Sequence, residues 1–132
     1  MNRWIVLLRW LMTRLFEMAV GCVLFLTLVE VARDGEPKIY DFANYLQTFG
    51  LIGFGYFASG FLILTLYFSF LLRERYVLLS FVNLAAFLAA SILTSVIGVS
   101  FEGGVLVYSA HGILIVVSSL IFGALFGALS KE

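Results

Sequence analysis

The sequence predicts an all-α integral membrane protein: an antiparallel four-transmembrane-helix bundle with a short N-terminal interfacial or protruding helical segment. Three observations carry this. Of 132 residues, 63% are hydrophobic and only 12% are charged, with a mean hydropathy of +1.11. A soluble domain has about a quarter of its residues charged, so these few cannot cover a water-facing surface. The apolar residues are gathered into four long runs, and a helix needs about 20 of them to cross a bilayer. The links between runs are too short to fold by themselves, so 1–132 reads as one transmembrane domain.

The first span is expected over 15–32. Before it, "MNRWIVLLRWLMTR" carries Arg9 and Arg14, which interrupt the apolar stretch that a signal peptide requires. Trp4 and Trp10 suit an interfacial belt. A single helix over 4–32 would be about 43 Å long, against a hydrocarbon core of about 30 Å. The chain is therefore expected to bend near Arg14 or to protrude from the membrane. "RDGEPKIYD" (33–41) follows. Its Asp34-Gly35 pair and Pro37 mark a loop, and Asp41 is suited to cap the next helix.

The second span is expected over 45–72, the third over 76–99 and the fourth over 105–129. "RERY" and "SFEGG" connect them. Such short links make consecutive helices antiparallel neighbours.

Lysine and arginine near helix ends set the orientation. Arg3, Arg9, Arg14, Arg73, Arg75 and Lys131 fall on one face; only Arg33 and Lys38 fall on the other. This asymmetry predicts both termini in the cytoplasm, in a plasma or bacterial inner membrane. Arg9, Arg14, Glu17, Arg73 and Arg75 then form a cytoplasmic face on which a soluble partner could dock. Eight basic residues balance eight acidic ones, and no basic patch points to nucleic acid.

Lipid does not drive helices together, so their contacts fall to small residues. The second span has Gly53 and Gly60 seven apart. The third has Ala86, Ala90, Thr94 and Gly98 at steps of four, and the fourth has Ser119, Gly123 and Gly127 at the same step. So many small seams predict a homo-oligomer or a subunit of a membrane complex, beyond contacts with the lipid bilayer itself.

Ionisable groups inside a bilayer are expensive and direct attention to function. Glu17 follows Arg14 by three residues and Glu30 precedes Arg33 by three, spacings that allow an ion pair at each membrane edge. His111, the single histidine, has no charged neighbour in sequence. Counted from Val105 it lies about 9 Å inside the fourth helix. Tyr108 and Ser118 share its face, and Glu30 is placed at a similar depth. These four form the candidate proton-sensitive site; the competing reading is a neutral histidine that binds helices together. Ser80, Asn83, Ser91 and Thr94 form a polar seam on the third helix, either lining a narrow pore or hydrogen-bonding between helices.

Catalysis finds no support. Ser109 and His111 are two apart and face different sides of a helix. No HExxH, paired cysteines or nucleotide loop is present, and Cys22 is alone, so no metal or cofactor is expected. The expected function is a non-enzymatic oligomeric subunit, sensor or immunity-type protein acting through helix and cytoplasmic-face contacts. The alternative is a minimal oligomeric ion or proton channel, or a small-solute transporter.

Overall fold

The computed structural model describes residues 2–32, 42–98 and 104–130. The described residues are 92% helical, with no strands among them. There are five helices: α1 (Arg3–Ala32), α2 (Phe42–Ala58), α3 (Phe61–Leu71), α4 (Tyr76–Val96) and α5 (Gly104–Ser130). In lipid every backbone N–H and C=O must be satisfied within the chain, which a helix achieves residue by residue. Three helices, α1, α4 and α5, are long and apolar enough to cross a membrane. The pair α2 and α3 makes a fourth if both are halves of one span, bent by 69°.

The polarity of the molecule is inverted relative to a soluble domain. Large apolar side chains such as Phe42, Phe57, Ile63, Val96 and Val105 lie on the surface, while Arg9, Arg14, Glu17, Asn83 and Ser118 are buried. Polar groups inside and aliphatic groups outside is the arrangement that a lipid solvent favours. Cys22, Leu26, Ile52, Tyr56, Phe61, Ala86, Phe87 and Ile115 form a core cluster drawn from all five helices.

α1 differs from the expected 15–32 span. It runs without a break from Arg3 to Ala32, and Asn2 Oδ1 accepts a hydrogen bond from Trp4 N–H at 3.0 Å, capping its first turn. Its length against the hydrocarbon core suggested either a bend near Arg14 or a protruding helix, and no break interrupts it. Arg9 and Arg14 were expected at the membrane edge. Both turn inward instead. Arg9 donates to the carbonyls of Arg73 at 2.8 Å and Ser69 at 3.3 Å. Ser69 is in the last turn of α3 and Arg73 just follows the helix, where carbonyls lack helical partners and the helix dipole is negative. Trp10 is likewise held inside the fold, donating from Nε1 to Thr65 Oγ1 at 3.0 Å.

The expected single helix over 45–72 is also corrected. It breaks between α2 and α3, at Ser59 and Gly60. Gly60 takes φ 75°, in the left-handed region where any Cβ is strained. Ser59 Oγ bonds back to the carbonyls of Gly55 at 2.8 Å and Tyr56 at 3.3 Å, a habit that bends helices. Gly60 thus sits at the bend rather than in a helix contact, and a Cβ there would touch nothing within 4 Å. α4 and α5 agree with their expected spans to within a few residues. Residues 33–41, where the sequence predicts a loop with Arg33, Pro37 and Asp41, lie outside the described residues, as do Glu102 and Lys131.

α5 is the central element, packing extensively on both α1 and α4. Small residues set these approaches. A Cβ on Gly123 would collide with the Tyr76 side chain, and one on Gly112 would lie 3.2 Å from Leu84 Cδ1. Gly53 faces Met18, whose Cε would be 2.7 Å from such a Cβ. Ala86 is buried and Ala90 packs against the core. Gly98 and Gly127 are different: nothing lies within 4 Å of either Cβ position. Gly98 (φ 86°) closes the end of α4.

Candidate functional site

Glu17 is a fully buried carboxylate with partners on three helices. On α1, Arg14 and Glu17 are one turn apart and share a face. Arg14 Nη2 donates to Glu17 Oε1 at 2.8 Å, with side-chain exposures of 3% and 0%. The same oxygen accepts from Ser118 Oγ of α5 at 2.8 Å. The other oxygen, Oε2, faces the hydroxyl of Tyr56 on α2 at 3.4 Å. That hydroxyl also contacts Nε2 of His111 on α5. The result is a linear chain, Arg14–Glu17–Tyr56–His111, joining three helices.

Each link follows from local structure. Tyr56 is in the last turn of α2, just before the bend. Phe61 opens α3 just after it, with its ring 4.5 Å from that of Tyr56. The Arg14 guanidinium lies 5.0 Å from the centroid of Phe61, a cation–π contact that desolvation strengthens. His111 is seated because residue 21 is glycine. A Cβ at Gly21 would lie 2.7 Å from His111 Cε1 and 2.9 Å from Nδ1. Phe87 of α4 flanks the imidazole at 5.1 Å between ring centroids.

A single hydroxyl proton sits between a carboxylate oxygen and an imidazole nitrogen. With a neutral imidazole, two arrangements satisfy the chain. With Glu17 ionised, Tyr56 donates to the carboxylate and His111 donates from Nε2 to the tyrosine oxygen. With Glu17 protonated, the carboxyl donates to Tyr56, and Tyr56 donates to a bare Nε2. Addition of one proton at Glu17 therefore reverses the direction of both hydrogen bonds. It also moves the imidazole hydrogen from Nε2 to Nδ1, while His111 stays neutral. Arg14 remains charged in both arrangements.

Of the expected cluster, His111 and Ser118 are both buried, but Ser118 serves Glu17 rather than His111. Tyr108 stacks at 6.3 Å on Phe87. Glu30 is not level with the histidine. His111 meets α1 at Gly21, and Glu30 is nine residues further along, about 13.5 Å. Its expected neighbour Arg33 lies outside the described residues.

The cytoplasmic-face set divides. Arg73 and Arg75 are exposed, whereas Arg9, Arg14 and Glu17 are interior and offer nothing to a docking partner. The polar seam divides too. Ser80 and Asn83 are buried, and Asn83 Nδ2 donates to Ser119 Oγ at 3.1 Å, joining α4 to α5. The hydroxyls of Ser80, Ser91 and Thr94 bond to carbonyls of their own helix, a common way for hydroxyls to be satisfied in lipid.

Tyr56 and Gly21 were not singled out by sequence. Tyr56 carried a usable signal, since it is a phenol inside an apolar run three residues before the Ser59-Gly60 break. Gly21 carried none that distinguishes it from other glycines. Among the described residues, no three His, Cys, Asp or Glu side chains converge to hold a metal. No family model, curated protein or solved structure matches the chain.

Proposed function

We propose that this chain is a non-enzymatic, four-span membrane protein that responds to protons at the Glu17–Tyr56–His111 chain and transmits the change through helix contacts. In this reading α2 and α3 are two halves of one span, and the four spans run antiparallel with both termini cytoplasmic. The protein acts as a sensor, an immunity-type protein or a subunit of an oligomeric membrane complex, in a plasma or bacterial inner membrane. Arg73 and Arg75 remain available to a soluble partner.

The observation that carries this reading is the position of the charged chain at the bend. Tyr56 ends one half-helix and holds Glu17 and His111; Phe61 begins the other and lies against Arg14. A proton gained by Glu17 weakens its attraction to Arg14 and reverses the Tyr56 bonds, so both sides of the Gly60 bend are affected together. A switch requires such a bistable element tied to a local charge change.

Spin labels on exposed positions of α2 and α3, at Phe54 and Tyr67, test this in nanodiscs. The inter-label distance is expected to change with pH in the otherwise native protein and to be pH-independent in Glu17→Gln. A distance that ignores pH in both proteins contradicts the switch.

A second reading, a proton channel or proton-coupled transporter, draws on the same broken span, because discontinuous helices beside charged groups recur in transporters. Proton flux in proteoliposomes that His111→Ala abolishes would favour it. Absence of flux with an intact pH-dependent distance favours the sensor.

A further inference from the structure

The chain described above ends at Arg14, and a second polar feature begins there. A small cavity of ≈ 10 Å³ is lined by Arg9, Thr13, Arg14, Ser69, Asn83 and Ser119. Three polar atoms of its lining residues have no hydrogen-bond partner among the described residues: Arg14 Nε, Arg14 Nη1 and Asn83 Oδ1. Both side chains are 2% exposed. Two donors and one acceptor, each costly to leave unmade, thus belong to residues that line one space of the size that holds a single ordered water.

We propose that this cavity is a water site, and that its water connects the buried Glu17 chain to the aqueous phase. The water accepts from Arg14 and donates to Asn83 Oδ1. A small anion would suit Arg14 but would face the Asn83 oxygen and the nearby Glu17 carboxylate, so a neutral donor–acceptor is the better occupant.

The route outward runs along Arg9. Its guanidinium borders the same cavity and holds the carbonyls of Ser69 and Arg73, and residues 73–75 are exposed. From Arg9 to Glu17 is eight residues of α1, about 12 Å. The guanidinium groups do not give up protons. They hold the water. Glu17 is not part of the cavity lining, but Arg14 bridges the two, bound to the Glu17 carboxylate at 2.8 Å; a hydronium at the water that gives its proton to that carboxylate leaves a neutral carboxyl and water. The groups facing Glu17 are Arg14 on α1, Tyr56 on α2 and Ser118 on α5, with His111 behind Tyr56. From α3 and α4 the lining is Ser69 and Asn83, neither of which titrates.

This inference rests on the proton-sensing reading but is separable from it. The full chain in lipid nanodiscs, with ¹⁵N-labelled arginine, is examined by water-edited solid-state NMR; Arg14→Lys assigns the Arg14 signal. A short-mixing water transfer to Arg14 Nε is expected, several-fold weaker in Asn83→Leu, with the Arg73 and Arg75 signals unchanged. After a pH jump, the His111 tautomer change is expected to be at least tenfold slower in Asn83→Leu, with the same end states. No water transfer to Arg14 in the native protein, or an unchanged rate in Asn83→Leu, overturns the proposal. A hydrated Arg14 without any pH response of His111 upholds the water site and overturns the sensing reading alone.

Discussion

Tyr56 and His111, 55 residues apart in sequence, meet through a hydroxyl and Nε2 in the interior, and the same hydroxyl faces Glu17. This contact turns an isolated histidine into one end of a chain whose other end is a buried ion pair. It also makes Tyr56 the residue on which both hydrogen-bonding directions depend.

Tyr56→Phe keeps the ring and removes the hydroxyl. His111 Nε2 and Glu17 Oε2 then lose their shared partner inside the fold. A loss of about 1–3 kcal/mol is expected in reversible unfolding in detergent, the cost of leaving buried polar groups unsatisfied. The pH response of the α2–α3 distance should vanish at the same time. A variant as stable as the native protein, with its pH response intact, would show that the hydroxyl has no such role.

The Arg14–Glu17 pair is expected to be strongly coupled. Replacing either partner alone leaves an uncompensated interior charge, at a cost of about 3–5 kcal/mol. The Arg14→Met, Glu17→Leu double variant removes both charges and should be more stable than either single variant. Additive losses in the double-mutant cycle would mean that the two groups act independently.

Gly21 and Gly127 differ in what surrounds them. Gly21→Ala puts a Cβ 2.7 Å from His111 Cε1 and should cost about 1–3 kcal/mol, as overpacking does, while displacing His111 from Tyr56. Gly127→Ala meets nothing within 4 Å and should stay within about 0.5 kcal/mol of the native protein. If Gly127→Ala instead breaks an oligomer, the residue faces a second copy. Gly60→Ala, at φ 75°, should lose about 1–2 kcal/mol through backbone strain and alter the α2–α3 angle.

Orientation is tested by thiol labelling of intact cells. Glu36→Cys should react with a membrane-impermeant reagent from outside, and Glu74→Cys only after lysis. The reverse pattern would invert the topology drawn from the arginine and lysine distribution.

The apolar spans were legible because 18 or more residues without water can be satisfied only by helix. The breaks were less legible. The spacing of Arg14 and Glu17 pointed to their ion pair, but Arg9 and Arg14 looked like interfacial residues because hydropathy registers their charge and not the Ser69 and Arg73 carbonyls or the Phe61 ring that lie against them. Gly60 looked like a packing glycine because sequence spacing does not report φ. His111 was visible as the single histidine, yet the neighbours offered for it were Tyr108, Ser118 and Glu30, and not Tyr56. Depth counted from uncertain helix ends accumulates about 1.5 Å of error per residue, and Gly21, not Glu30, proved to be its level on α1. Ser118 was grouped with His111, but its hydroxyl donates to the Glu17 carboxylate.

The most direct test is the tautomer of His111, which a single ¹⁵N-histidine label reports without ambiguity. In nanodiscs, lowering the pH should move the imidazole hydrogen from Nε2 to Nδ1 as Glu17 takes up a proton, and Glu17→Gln should abolish the change. A tautomer that stays fixed across the carboxylate range, or that shifts equally in Glu17→Gln, would contradict a proton-responsive chain between Glu17 and His111.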